Sequence, residues 1–351
     1  MLPEWTYQDC PEVSHDHRDA ALARQAQLTK PAGSLGRLEQ IAAELAGLQQ
    51  TERPRAARVP IIIFAGDHGV VAEGVSAYPQ EVTIAMMANF AAGGAAISVL
   101  ARELGSTLEV IDAGSLAQSP LPGIVTDKPR CGSRNFSRQT ALSSEEVCFA
   151  LECGRRAVLR AIAAQPDLLI LGEMGIGNTT ASAAIAAALL GANAEQIAGS
   201  GTGIDATGRA RKVRVIDQAI EHHGLAKPEI SAEDILCAVG GLEIIAICGA
   251  IIAAAQHRLP ILVDGFIVSV AALAAVRLNP SCRRYLLASH QSAEQGHRLV
   301  LKGLNLQPLI DLDLRLGEGS GAAIALPLLR LACALHNDMA TFAQANVPGA
   351  S

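Results

Sequence analysis

Residues Pro166–Leu190 read PDLLILGEMGIGNTTASAAIAAALL, a run of branched apolar residues, a glycine-rich corner and an alanine-rich tail. Leu168–Leu171 is uninterrupted by polar residues, as expected of a strand buried on both faces of a parallel sheet. The alanine-rich tail favours helix, and Thr179 or Thr180 is placed to cap it. A strand that turns through glycines into a helix leaves free N–H groups at the positive end of a helix dipole. An anion there gains roughly 0.3 to 2 kcal/mol from the dipole alone. Gly175 and Gly177 let the backbone approach such a ligand closely. Glu173, a carboxylate beside an anion site, points to chemistry rather than simple phosphate storage. The corner has neither the lysine of a G-x-x-x-x-G-K-[ST] loop nor a G-x-G-x-x-G pattern, which disfavours a P-loop triphosphatase and a standard dinucleotide domain. A tight turn without a ligand is the plain alternative.

The same alternation recurs on both sides. Strands are expected at Arg58–Asp67, Thr107–Ala113, Pro260–Asp264 and Tyr285–Ala288. Helices are expected at Val82–Leu104, as one or two, and at Ser144–Ala164, Ala206–His223, Ile230–Val239, Leu242–Gln256, Ile267–Val276 and Gly296–Leu304. Strand–helix alternation with glycines after strand ends predicts an α/β fold, a parallel Rossmann-like sheet flanked by helices, whose ligand crevice lies outside the carboxyl ends of the strands. Asp19–Gln50 reads as two helices broken at Thr29–Ser34, and Ala322–Ala343 also lacks strand signals. The chain ends are therefore expected to form a small helical domain, residues 1–55 and 322–351, beside a large α/β catalytic domain over 56–321.

The composition narrows the partners. A formal charge of -6 over 351 residues, with one Trp, three Tyr and six Phe, gives neither the basic surface nor the stacking platforms of a nucleic-acid binder. Apolar stretches such as Ile244–Ala255 fall short of the roughly 20 residues that span a bilayer, so no membrane partner is expected. The N-terminal stretch has no basic, then apolar, secretory pattern, which predicts a cytoplasmic protein. Eight cysteines without a C-x-x-C pair read as small buried hydrophobes in a reducing compartment.

Further candidate site residues lie at predicted strand ends and glycine loops. Gly199–Asp205, GSGTGID, precedes a helix carrying Arg209, Arg211, Lys212 and Arg214; two nests of N–H groups and one well-aimed lysine can hold a phosphate monoester, while most of these cations read as a solvated face. Asp67–His68 sits where a general base or metal ligand would, without a second ligand at metal spacing. Asp264 and Glu243 are placed either to bind ribose hydroxyls or to cap helices. Glu318, within Gly317–Gly321 and between apolar residues, is either a carboxylate raised toward neutrality as a general base or a favourable charge at a helix start.

Taken in order, KPAGSLGRLE from Lys30, FAGDHGVVAEGVSAYPQEVT from Phe64, NFAAGGAAI from Asn89, GEMGIGNTTASAA from Gly172, GSGTGID from Gly199, VGGLEI from Val239, DGFI from Asp264, SHQSAEQGH from Ser289 and LGEGSGAA from Leu316 resemble the nicotinate-nucleotide:dimethylbenzimidazole phosphoribosyltransferases of cobalamin lower-ligand biosynthesis. The resemblance implies transfer of phosphoribose from nicotinate mononucleotide to 5,6-dimethylbenzimidazole, giving α-ribazole 5′-phosphate and nicotinate by one displacement with inversion at the anomeric carbon. It implies no cofactor, no metal and a homodimer. It makes Glu318 the base and puts Glu173 near the ribose. It gives Gly175, Ile176, Gly177, Asn178, Thr179, Gly203 and Lys212 to the phosphate, and Asp264, Ser289 and His290 to the nucleotide. Ser76, Tyr78, Pro79, Gln80, Met86 and Leu316 fall to the flat slot for the acceptor. Two other function classes compete: a metal-dependent hydrolase of phosphorylated sugars or nucleotides built on Asp67, His68 and Glu173, and a non-catalytic nucleotide-binding subunit.

Overall fold

Branched residues buried at successive positions build the sheet. The protein is described by a computed structural model covering residues 2–199, 201, 203–227 and 229–348. Its strands are β1 (Ile61–Gly66), β2 (Leu108–Gly114), β3 (Val125–Thr126), β4 (Leu169–Met174), β5 (Ile261–Val263), β6 (Leu286–Ala288), β7 (His290–Gln291) and β8 (Ile310–Asp311). The first six form one sheet in the order β3-β2-β1-β4-β5-β6, all parallel; β7 and β8 pair separately. Ile62, Phe64, Leu169 and Leu171 point into one core and Ile61, Ile63, Leu168 and Ile170 into the other, so both faces are covered.

The helices are α1 (His15–Gln25), α2 (Arg37–Gln49), α3 (Glu81–Ala92), α4 (Ala96–Leu104), α5 (Ser144–Ile162), α6 (Asn178–Leu190), α7 (Ala194–Ile197), α8 (Ala206–His222), α9 (Ala232–Val239), α10 (Leu242–Gln256), α11 (Phe266–Leu278), α12 (His297–Leu304), α13 (Ser320–Asp338) and α14 (Phe342–Ala345). The larger core joins the sheet to α5, α6, α10 and α11; the other lies under α2, α4 and α13. Gly154 and Gly249 let α5 and α10 touch at their backbones: a Cβ at Gly154 would fall 1.9 Å from the Ala246 carbonyl oxygen. At the chain ends α1, α2 and α13 pack on one another, with Arg24 donating to the carbonyls of His336 and Asn337.

The alternative left open for Val82–Leu104, one helix or two, is decided, and two further points differ from the sequence reading. Glu81–Leu104 has the length and apolar composition of a membrane span, but it is two helices, broken where Gly93 turns to φ +83°. β3 and the β7–β8 pair, two residues per strand, are too short to leave a periodic signal. Neither Thr179 nor Thr180 caps α6; its N-cap is Gly177 at φ +95°, and the Thr180 hydroxyl is buried without a partner.

Candidate active site

The strand order reverses direction between β1 and β4, which opens a crevice beyond their carboxyl ends. A cleft of about 430 Å³ lies there, lined by Glu173, Gly175, Ile176, Asn178, Thr179, Asp264, His290 and Glu318. Tyr78, Val82, Met86, Met174, Phe266 and Leu316 supply its apolar walls. A smaller recess of about 20 Å³ adjoins it, bounded by Ser76, Gly175, Gly177, Asn178, Thr179, Gly201 and Lys212.

The recess has the chemistry of an anion cradle. The start of α6 points its dipole into it, and Lys212, on α8 and 1% exposed, donates Nζ–H to Thr179 Oγ1 at 2.9 Å. Burial lowers the Lys212 pKa to about 8, with Glu294 pulling it up and Arg209 pushing it down. The other cations of that helix are occupied elsewhere or exposed: Arg209 pairs with Glu195, Arg211 donates to the Gly74 carbonyl, and Arg214 faces solvent.

Four carboxylates line the cleft: Glu173, Asp264, Glu294 and Glu318. Glu173, at the end of β4, accepts from the Asn178 side chain and from the backbone N–H of Glu318. Burial, then the negative neighbours Asp264, Glu243 and Glu318, raise its pKa to about 8. Glu318 sits in a turn where Gly317, Glu318 and Gly319 all have positive φ, +88°, +63° and +76°. For a non-glycine residue that conformation costs roughly 1–2 kcal/mol, the kind of strain that collects at functional positions. Burial pushes its carboxyl upward and the Ile97 N–H at the start of α4 draws it down; Asp264 adds to the rise, and the net shift is upward. One oxygen, Oε2, is buried without a partner.

Asp264 lies at the base of this turn. Its oxygens accept from Gly319 N–H at 3.1 Å and Ala322 N–H at 2.8 Å, which anchors the start of α13; burial raises its pKa while His290 and these N–H groups oppose the rise. Of the two readings for Asp264, helix anchoring is therefore realised, in a residue that also lines the cleft. Ser289 gives its hydroxyl proton to the Val263 carbonyl at 2.6 Å, so at 2.9 Å His290 Nδ1 is the donor to Ser289 Oγ. Ser289 is thus a buried support behind His290 rather than a wall.

Several expected residues are not brought together. Gln80 donates to the His68 carbonyl and Pro79 is exposed, so neither lines the cleft; Ser76, expected at the acceptor, lines the small recess instead. Gly203 is exposed and lines neither space, whereas Gly201 lines both; the neighbouring Ser200 and Thr202 lie outside the described residues. The Ile176 N–H is bonded to Thr83 Oγ1. Glu243 is wholly buried beneath Gly66 and Gly175, 2.6 Å from His68 Nε2, and does not line the cleft. Asp67 accepts from Thr83 and from Leu116 N–H, so the pair on which a hydrolase would be built is occupied in the floor of the cleft. Among the described residues no group of three or more His, Cys, Asp or Glu is arranged to hold a metal ion.

Sequence reasoning missed Val82, Met174, Phe266 and Glu294 in the cleft and Ile97 at Glu318. The motif NFAAGGAAI contained the last of these, since its two glycines place the start of α4 against the Glu318 turn.

Comparisons with known proteins agree with this geometry. The family model described as "Phosphoribosyltransferase" matches residues 10–347. The chain is 77% identical over 348 residues to the nicotinate-nucleotide–dimethylbenzimidazole phosphoribosyltransferase of Bradyrhizobium diazoefficiens, covering 99% of both chains. It is 56% identical over 348 residues to that of Pseudomonas aeruginosa, again 99% of both. The crystal structure of the Thermus thermophilus enzyme of the same name superposes with a TM-score of 0.90 at 43% identity, covering 96% of this chain and 100% of the other. This chain belongs to the nicotinate-nucleotide–dimethylbenzimidazole phosphoribosyltransferase family.

Proposed function

We propose that this protein transfers the phosphoribosyl group of nicotinate mononucleotide to 5,6-dimethylbenzimidazole, forming α-ribazole 5′-phosphate and releasing nicotinate. The observation that carries the reading is one cleft with two unlike ends: a small recess holding a buried lysine at a helix start, and an apolar slot that ends at Glu318.

The 5′-phosphate docks in the recess, on the start of α6 and Lys212, with Gly175, Gly177, Asn178 and Thr179 around it. His290 and Asp264 flank the nucleotide. The acceptor lies between Tyr78, Val82, Met86, Met174 and Leu316. Its unprotonated ring nitrogen attacks the anomeric carbon as the bond to the pyridinium nitrogen breaks, and the breaking bond's electrons neutralise the leaving nicotinate ring. The attacking azole then carries one proton too many, and Glu318 removes it. Glu173, protonated near neutral pH in the free enzyme, ionises as the cationic ribosyl–pyridinium arrives and stabilises positive charge at the anomeric carbon. Alignment supplies much of the rate, because two bound reactants replace a bimolecular encounter.

The protein acts in the cytoplasm as a homodimer, with the packed termini, residues 1–55 and 322–351, forming a small helical domain beside the catalytic domain of residues 56–321. Incubation with both substrates, without added metal, between about pH 6 and 9 yields α-ribazole phosphate and nicotinate in equal amounts. Absence of product across that range sinks the reading. Glu318→Gln lowers kcat by about 10²-fold or more, less for azoles of lower pKa, with the fold intact.

A further inference from the structure

We propose that Thr83 is a positioning residue that ties the phosphate corner to the acceptor wall and so sets the distance between the two substrates. The proposal rests on the reading of the cleft given above.

Thr83 is fully buried on α3. Its hydroxyl donates to Asp67 Oδ1 at 2.7 Å and accepts the Ile176 N–H at 3.1 Å. The other Asp67 oxygen accepts the Leu116 N–H at 2.8 Å. A single hydroxyl therefore connects α3 to residues just beyond the ends of β1 and β4, and through Asp67 to the segment after β2. Both of its bonds are made in the interior, where an N–H or carboxylate oxygen that loses its partner has no water to turn to.

The two sides of this tie carry different halves of the cleft. Ile176 belongs to the corner whose neighbours Gly175, Gly177, Asn178 and Thr179 bound the phosphate recess. Val82 and Met86, on either side of Thr83 along α3, line the apolar wall. An attacking atom has to arrive about 3–3.5 Å from the carbon it attacks, and a misplacement near 1 Å costs about 10²-fold in rate. A hydroxyl that locks the corner to the helix holds that gap without touching either substrate. The motif Asp67–His68, which has no direct role in the cleft, is accounted for: Asp67 fixes the hydroxyl that fixes Ile176.

Three substitutions separate a hydrogen-bonded tie from simple packing. Thr83→Val keeps the shape and loses both bonds, Thr83→Ser keeps both bonds and loses a methyl, and Thr83→Ala leaves room for a water to bridge Asp67 and Ile176. Expected activities fall in the order serine, alanine, valine, with serine within about threefold of the parent and valine about tenfold or more lower in kcat. The KM for dimethylbenzimidazole changes less than kcat, because the acceptor wall itself is unaltered. Amide hydrogen exchange at Ile176 accelerates in the valine variant and stays slow in the serine variant. If valine is as active as the parent, or more active than alanine, the role is packing and the proposal is overturned. If the valine variant does not fold, an alanine variant with the parent's kcat overturns it, and an alanine variant below serine in kcat with accelerated exchange at Ile176 supports it. Product formation by the unsubstituted protein tests the functional reading separately, and the exchange measurements stand without any product.

Discussion

Glu318 rests on Gly172: a Cβ at position 172 would lie 2.5 Å from the carbonyl carbon of Glu318 and 2.5 Å from the nitrogen of Gly319. Both are backbone atoms in a turn already held at positive φ, so they cannot swing aside as a flexible side chain would. Gly172→Ala therefore lifts the base-bearing turn off β4. Kinetics and a thermal melt should show kcat lower by about 10- to 100-fold. Stability should fall by about 1–3 kcal/mol, the usual cost of overpacking. A kcat within twofold of the parent means that the position of the turn does not limit the reaction.

The cation of the phosphate recess predicts an alkaline limit. Lys212 has its pKa lowered to about 8 by burial, so in the free enzyme its charge is lost as pH rises through that value. Binding a phosphate dianion must then recharge the amine. The KM for nicotinate mononucleotide should rise by about tenfold per pH unit above 8, the slope of one proton taken up on binding. Lys212→Ala should raise that KM at pH 7 and remove the alkaline rise. A KM for the parent that stays flat from pH 7 to 9.5 excludes Lys212 as the titrating group.

Much of the frame was legible because it is local. The runs Ile61–Phe64 and Leu169–Leu171 announce buried strands, and the glycines beyond the strand ends, Gly69 after β1 and Gly175 and Gly177 after β4, announce the turns that make the crevice. Glu173 and Glu318 stood out as carboxylates among glycines, whereas Lys212 was told apart from Arg209, Arg211 and Arg214 on its helix only by the family resemblance. What stayed hidden depends on residues far apart in the chain. Thr83 bonds to Ile176 across 93 positions, and Glu243 to His68 across 175, and nothing in either neighbourhood marks the partner. For that reason Glu243 kept two readings in the sequence: its place after Gly240–Gly241 resembles a crevice edge, and the fold realises the other reading, an acid in the first turn of α10 under the floor. Ser76 and Gln80 lie in the right loop, but which of its side chains turn inward is decided by turn geometry that the sequence leaves open.

Glu173 makes the free enzyme less stable as the solution becomes alkaline. Its folded pKa, about 8, lies above the ordinary carboxylate value of 4.5, so between those limits the folded state holds a proton that the unfolded state has released. The stabilisation is complete below pH 4.5 and is lost as pH rises toward 8, by roughly 1.4 kcal/mol per pH unit. Denaturant unfolding of the parent at pH 6.5 and 8 should show this loss, and Glu173→Gln should reduce it. Equal slopes in parent and variant mean that Glu173 is ionised in the free enzyme.

His297 works in the opposite direction, and the two together shape the acid side of the profile. The Ser292 N–H donates to His297 Nδ1 at 2.8 Å, which leaves that nitrogen unprotonated. Nε2–H then donates to Ser269 Oγ at 3.0 Å, and that hydroxyl to the Asp264 carbonyl at 3.2 Å. Burial, with His290 nearby, lowers the His297 pKa from 6.5 to about 3. Between those values the unfolded state holds a proton that the folded state lacks, so this contribution is full above pH 6.5 and is lost as pH falls toward 3. From pH 4.5 to 6.5 the folded state is one proton richer at Glu173 and one proton poorer at His297, and the two slopes cancel. Glu173→Gln should remove its half of this balance and leave the histidine's, shifting the slope of stability against pH in this range upward by roughly 1.4 kcal/mol per pH unit. A parent whose stability falls over this range beside a variant that stays flat shows that His297 is not held neutral, and the bond that its Nδ1 accepts from Ser292 N–H is then not made.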